Sequence, residues 1–153
     1  SAMTNLSRQF QARTVEKTYL AIVGNMPAQG EGELVHFLKK NEKKNISVVV
    51  PETEPGAEKA EMHYKVIGSS ERYHLLLIQL HTGRHHQIRA QLAAIGCPVR
   101  GDAKYGFKRG NRDRSIQLHA WRLAFDHPVT DDRVNLEAPL PEDAVWKAFE
   151  GMY

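Results

Sequence analysis

The chain has 153 residues, enough for one domain with a real core, and 41% of them are hydrophobic, which excludes a disordered chain. The net charge of +3 is too small to define a partner by itself. Apolar runs such as Leu75–Ile78 are far too short to span a bilayer, no signal-peptide pattern opens the sequence, and Cys97 is the only cysteine, so the expectation is a cytoplasmic protein without membrane spans or internal disulfides.

Residues 3–13 suit a short amphipathic helix in which Met3, Leu6 and Phe10 share a face and Thr4 caps the start. A helix so near a terminus needs a sheet to rest on. In Lys17–Val23, apolar residues fill both alternations, the pattern of a strand buried on both faces. Tyr19 therefore points into a covered place, where its hydroxyl needs a partner. After the turn-rich stretch 24–32, Leu34–Leu38 and Ile46–Val50 read as strands joined by a Lys-rich turn, Lys39–Lys44, whose plain reading is a solvated loop. Pro51–Lys59 is an acidic connection broken by Pro and Gly. Glu61–Ile67 and Tyr73–Leu80 form a further strand pair.

A helix beginning near Thr82 is expected next. Ile88, Leu92 and Ile95 form its apolar stripe, with Gly96 and Pro98 as stop signals. Arg89 lies beside that stripe, and an arginine at the edge of a packed face requires an acidic or anionic partner. Arg84, His85 and His86 crowd the expected first turn, where backbone N–H groups already favour an anion. The segment Arg100–Arg114 follows with six Lys or Arg against two Asp, a clustered charge that suits a phosphate backbone. Ile116–Phe125 and Val134–Ala138 are two more strands, paired across the Asp131-Asp132 turn. Pro141 opens a last short helix with Val145, Trp146 and Phe149 on its apolar face. The whole reads as a single unit, 1–153, of α+β class: a mixed, largely antiparallel sheet with few helices.

Other chemistries find little support. His81 and His85 are four apart, but Thr82-Gly83 interrupts them and no Cys or carboxylate completes a metal site. Paired acids for metal-assisted hydrolysis are missing, as are a phosphate-binding glycine loop and a serine nucleophile elbow. A histidine-based nuclease stays open in principle.

Three ordered motifs say more. TGRHHQIRAQL, GCPVRGDAKYG and LHAWRLAFDHP resemble the core of the RluA-type RNA pseudouridine synthases. Thr82, Gly83, Arg84, His86, Gln87, Ile88 and Arg89 match the first part of that pattern. Gly96, Pro98, Gly101, Asp102, Tyr105 and Gly106 match the second, with Val99 in place of Ile. Leu118, His119, Ala120, Leu123, Phe125, His127 and Pro128 match the third. Val15, Lys17, Tyr19 and Ala21 resemble the family's strand Val-x-Lys-x-Tyr-x-Ala.

The resemblance implies the catalytic-domain fold of that family. It also implies cofactor-free isomerisation of a uridine in transfer or ribosomal RNA, with no metal and RNA as partner. Tyr19 would pack on the uracil and Arg89 would pair with the family's nucleophilic aspartate, as the two catalytic residues. Arg84 and His86 would shape that corner or touch phosphate, while Lys108, Arg109, Arg112 and Arg114 would contact the RNA backbone. Asp102 and Tyr105 would only hold their loop.

The family's aspartate lies in a His-Arg-Leu-Asp motif upstream of the Lys-x-Tyr strand, and here the first aspartate anywhere is Asp102. The chain therefore reads as the C-terminal portion of a catalytic domain, inactive alone, with a non-catalytic RNA-binding module as the alternative. The expectation for Arg89 is that it lacks its acid within the chain. It should swing to solvent, capture an anion or take an acid from another chain.

Overall fold

A computed structural model of the chain describes residues 2–11 and 15–153. One seven-stranded sheet dominates: β1 (Glu16–Val23), β2 (Glu31–Asn41), β3 (Ile46–Val50), β4 (Glu58–Ser69), β5 (His74–Leu80), β6 (Leu118–Asp126) and β7 (Arg133–Glu137). Their spatial order is β3-β2-β4-β5-β1-β6-β7, and every strand pairing is antiparallel. The α+β class and the antiparallel character follow the sequence reading; no parallel pair joins them among the described residues. Helices α1 (Ala2–Gln11), α2 (Gln87–Ala94) and α3 (Ala144–Lys147) complete the unit.

β1 sits between β5 and β6, and its double-sided burial explains the lack of polar alternation in its sequence. Ala21 and Val23 join Ile88, Leu92 and Val99 under α2, with Tyr19 packed at the margin. Leu20 and Ile22 face the other way and pack with Trp121, Trp146 and Phe149 under α3. The sheet is thus the middle layer, and α2 holds one of its faces. Opposite Thr18–Tyr19 the β1–β6 register shifts: Thr18 pairs with Arg122 and Tyr19 with Ala120, so Trp121 has no partner of its own. Such a bulge sharpens local twist and is common beside functional sites.

The expected terminal helix exists, but its anchor differs. Met3 is exposed, and the side chain of Phe10, like residues 12–14, lies outside the described residues. Gln9 supplies the hold instead: its amide donates to the Asp126 carbonyl and accepts from the Asp126 N–H, both at 2.7 Å. α3 is capped by Asp143, which accepts from the N–H groups of Val145 and Trp146, so its start is set by this cap rather than by Pro141.

The largest departure from expectation concerns α2. It starts at Gln87, not near Thr82, because His86 adopts a left-handed conformation (φ 52°) that no helix interior accepts. Thr82–His86 is a braced turn. The buried Gln87 side chain accepts from Thr82 Oγ1 (2.7 Å) and from Arg84 N–H (2.9 Å), and it donates to the Glu61 carbonyl (3.0 Å). Thr82 Oγ1 accepts in turn from Glu61 N–H at 2.9 Å. These side-chain bonds replace those a helical first turn would have made.

Candidate active site and RNA-facing loop

The braced turn, β1 and the start of β6 enclose a cleft of about 190 Å³. Tyr19, Arg84, His86 and Arg89 line it together with Leu80 and Leu118. The structure therefore gathers the four cleft residues named from sequence, from two separate stretches of chain, β1 and residues 84–89. A wider groove of about 430 Å³ around Thr18, Gln79 and Arg122 opens on the other sheet face, but there Arg122 is already paired with Glu137.

Each side chain has a distinct state. Tyr19 is half-buried, and its hydroxyl hydrogen-bonds to none of the described residues, unlike Tyr64, which donates to the Gln29 carbonyl. The partner expected for Tyr19 is thus not among the described residues. Arg84 is tethered to the start of β4, donating from Nε to the Lys59 carbonyl (2.8 Å) and from Nη1 to Glu58 Oε2 (3.0 Å). Lys17, on the Tyr19 side of β1, reaches over Gly83. A Cβ at position 83 would stand 2.8 Å from its Nζ, and burial pulls the ammonium below the usual lysine range.

Arg89 corrects the sequence reading outright. It does not lack an acid within the chain and does not swing out to solvent. It forms a bidentate pair with Asp102, Nε to Oδ2 and Nη2 to Oδ1, both at 2.8 Å. The Asp102 side chain is 1% exposed and that of Arg89 19%, so the pair is largely removed from water. An unpaired charge there would cost several kcal/mol, which is why the fold supplies the acid. Asp102 and Tyr105 thus do more than hold their loop. The Tyr105 ring lies under the guanidinium, 4.8 Å from centroid to Cζ. The signal for Asp102 was present: it is the first aspartate in the chain, it sits between glycine-rich turns, and Arg89 demanded an anion.

His86 completes the cluster. Arg89 Nη1 donates to His86 Nε2 (3.1 Å), and His86 Nδ1 lies 2.8 Å from the Tyr105 hydroxyl. A guanidinium can only donate, so Nε2 must carry the lone pair and Nδ1 the proton. Tyr105 Oη also accepts from Ser47 N–H on β3 at 2.8 Å. His85 stacks on His86 at 3.8 Å and contacts Ser47 Oγ through Nδ1. Burial, together with the nearby Arg89, His85 and Lys104 against the weaker pull of Asp102, lowers His86 to about 4, so the ring is neutral at pH 7.

Lys108, Arg109, Arg112 and Arg114 lie outside the cleft, on the exposed loop that follows Tyr105. None of them forms an ion pair among the described residues. The loop is nevertheless fixed. Asn111 donates to the Ser115 carbonyl and to Gln117, accepts from Arg100 Nη1, and leaves no room for a side chain at Gly101. Arg100 itself turns inward over the Tyr73 ring, so it serves the loop's anchorage rather than its surface.

Tyr19 on β1 thus faces Arg84 of the braced turn and Arg89 of α2 across one cleft. The profile of the RNA pseudouridylate synthase family matches residues 1–94, and the chain belongs to that family, of RluA type by its three motifs. It is 37% identical over 142 residues to the uncharacterized RNA pseudouridine synthase YlyB of Bacillus subtilis, covering 93% of this chain and 46% of that protein. It is 35% identical over 153 residues to ribosomal large subunit pseudouridine synthase D of Nitrosomonas europaea, covering 93% and 42%. The solved structure of human RNA pseudouridylate synthase domain containing 1 superposes with a TM-score of 0.73 at 25% identity, covering 95% of this chain and 62% of that one. The chain thus spans about half the length of the curated relatives it matches.

Proposed function

We propose that this chain forms the uracil-binding and arginine-bearing part of an RNA pseudouridine synthase that acts in the cytoplasm on a uridine of transfer or ribosomal RNA. The observation that carries this reading is the convergence of Tyr19, Arg84 and Arg89 on one cleft, from β1, the braced turn and α2. A target uridine cannot be reached inside a stacked helix, so it is extruded into the pocket, where an aromatic side chain takes one face of the base. Tyr19 offers that face, and its hydroxyl, bonded to none of the described residues, reaches for the base. An aspartate attacks the nucleoside, the N-glycosidic bond breaks, and the uracil turns within the pocket; the ribose carbon then bonds to C5, the aspartate is released as a free carboxylate, C5 loses its proton and N1 gains one. No redox partner is needed, because the product is an isomer of the substrate. Lys108, Arg109, Arg112 and Arg114 meet RNA phosphates outside the cleft.

In this reading the nucleophile comes from outside the 153 residues. Asp102 is the first aspartate in the sequence, and it is committed to Arg89. The same observation supports a second reading, an RNA-binding module without catalysis. One assay separates the two. RNA from a strain lacking the enzyme is incubated with the 153-residue chain and with the protein as its gene encodes it. The synthase reading expects pseudouridine only from the second. Product from the short chain would show that the acid has been misplaced, and product from neither would favour the module.

A further inference from the structure

A guanidinium has five N–H groups. In Arg89 three are engaged: Nε–H and one Nη2–H by Asp102, and one Nη1–H by His86. One N–H remains on each terminal nitrogen, and the residue still lines the cleft. We infer that Asp102 and His86 are positioning residues that hold Arg89 by its inner edge, so that its two remaining N–H groups meet the carboxylate of the attacking aspartate. This inference rests on the synthase reading.

Each holder is itself held. Asp102 donates its N–H to the Val99 carbonyl, and its own carbonyl accepts from Tyr105 and Phe107. His86 is fixed by the Tyr105 hydroxyl, which is in turn fixed by Ser47 on β3. A salt bridge kept only for stability needs Asp102 alone. The third contact, to a neutral nitrogen on Nη1, adds no charge pairing and instead limits rotation of the guanidinium about the bond to Asp102. It is made from a left-handed backbone at His86, an uncommon state for a residue with a side chain and one that collects at functional sites. A carboxylate received end-on by a guanidinium already gripped side-on would be aligned without further reorganisation, which is how positioning lowers a barrier.

The test uses the protein as its gene encodes it, with Asp102→Asn and His86→Asn. Asparagine tolerates the left-handed backbone, so the second variant keeps the turn. Expected is a loss in kcat for pseudouridine formation of about 100-fold for Asp102→Asn and about 10-fold for His86→Asn, per folded molecule, with KM for RNA changed less than about threefold. Nitrogen-15 NMR of the wild-type 153-residue chain should show His86 protonated at Nδ1 and an Arg89 Nε–H that exchanges slowly with water. The inference is overturned if kcat per folded molecule is unchanged in both variants, or if His86 carries its proton on Nε2. A wild-type protein that forms no pseudouridine would bring down the synthase reading instead, and the NMR result alone would then decide whether the two residues hold Arg89. Should a variant fold too poorly for kinetics, the histidine tautomer in the wild type remains decisive.

Discussion

Arg89 and Arg112 carry the same guanidinium and are treated in opposite ways. Arg89 is walled in, with a carboxylate on one edge, a neutral imidazole on another and a phenol ring beneath. Arg112 and its neighbours Lys108, Arg109 and Arg114 are exposed, with no acid of the described residues paired to them, on a loop pinned from behind by Asn111 and Arg100. In the first case the charge is neutralised locally and what remains is direction. In the second the charge is left whole, and what matters is its field and its reach. A buried cation is useful for where it points; an exposed cluster is useful for what it attracts.

That contrast can be broken most severely at the buried pair. Arg89→Met leaves Asp102 charged in a dry place, and stability should fall by about 3–5 kcal/mol, read as a lowered urea midpoint at unchanged slope. Arg89→Met with Asp102→Leu should recover much of that loss, since an apolar pair leaves no stranded charge. A single substitution without measurable destabilisation would mean that the pair is not desolvated in solution.

The exposed loop should behave the other way. Neutralising Arg109, Arg112 and Arg114 to Gln should leave the midpoint within about 0.5 kcal/mol of wild type, as is usual for surface changes. RNA affinity should drop for every sequence tested, and the salt slope should flatten by about one unit per lost contact. Unchanged slopes in a fluorescence titration would remove these residues from the RNA surface.

Acid sharpens the comparison at smaller scale. His86 titrates at about 4 in the fold against an ordinary value near 6.5, so between these values the unfolded chain binds more protons than the folded one. Stability is therefore present in full above about pH 6.5 and declines as pH falls towards 4, by roughly 1–2 kcal/mol after allowance for partial exposure. His86→Asn should remove that share of the pH dependence. Least affected should be Tyr19→Phe: no described residue bonds its hydroxyl, so the urea midpoint should stay within about 0.5 kcal/mol of wild type. Turnover of the intact synthase should nonetheless fall, and wild-type turnover with chemistry rate-limiting would reduce Tyr19 to packing.

Much of this was legible in the sequence where one physical rule acts locally. Continuous apolar residues in Lys17–Val23 gave an interior strand, and Val145, Trp146 and Phe149 gave the apolar contacts of α3 and of the turn that follows it. The cleft residues were legible only through the family resemblance: Arg84, His86 and Arg89 by the first motif, Tyr19 by the Val-x-Lys-x-Tyr-x-Ala strand. Three features escaped. Ile88, Leu92 and Ile95 predicted a helix correctly but not its start, since Gln87 diverts the preceding turn through side-chain bonds that no apolar period records. Asp102 escaped because it meets Arg89 across the Gly96–Pro98 turn, a proximity set by packing rather than by spacing on one element. Gln9 likewise gave no signal of its grip on Asp126, because a glutamine in a helix ordinarily means exposure.

The close approach of Lys17 to Gly83 carries a consequence for genetics. The atom that a Cβ at 83 would meet is the far end of a flexible chain, so Gly83→Ala would evict an ammonium and spare the backbone. The substitution is thus a bump that relocates one charge beside Tyr19 without editing the lysine. A shorter side chain at 17 would restore the fit. The two positions should behave as mutual suppressors, and a selection for revertants of Gly83→Ala should return changes at 17 more often than at any exposed site.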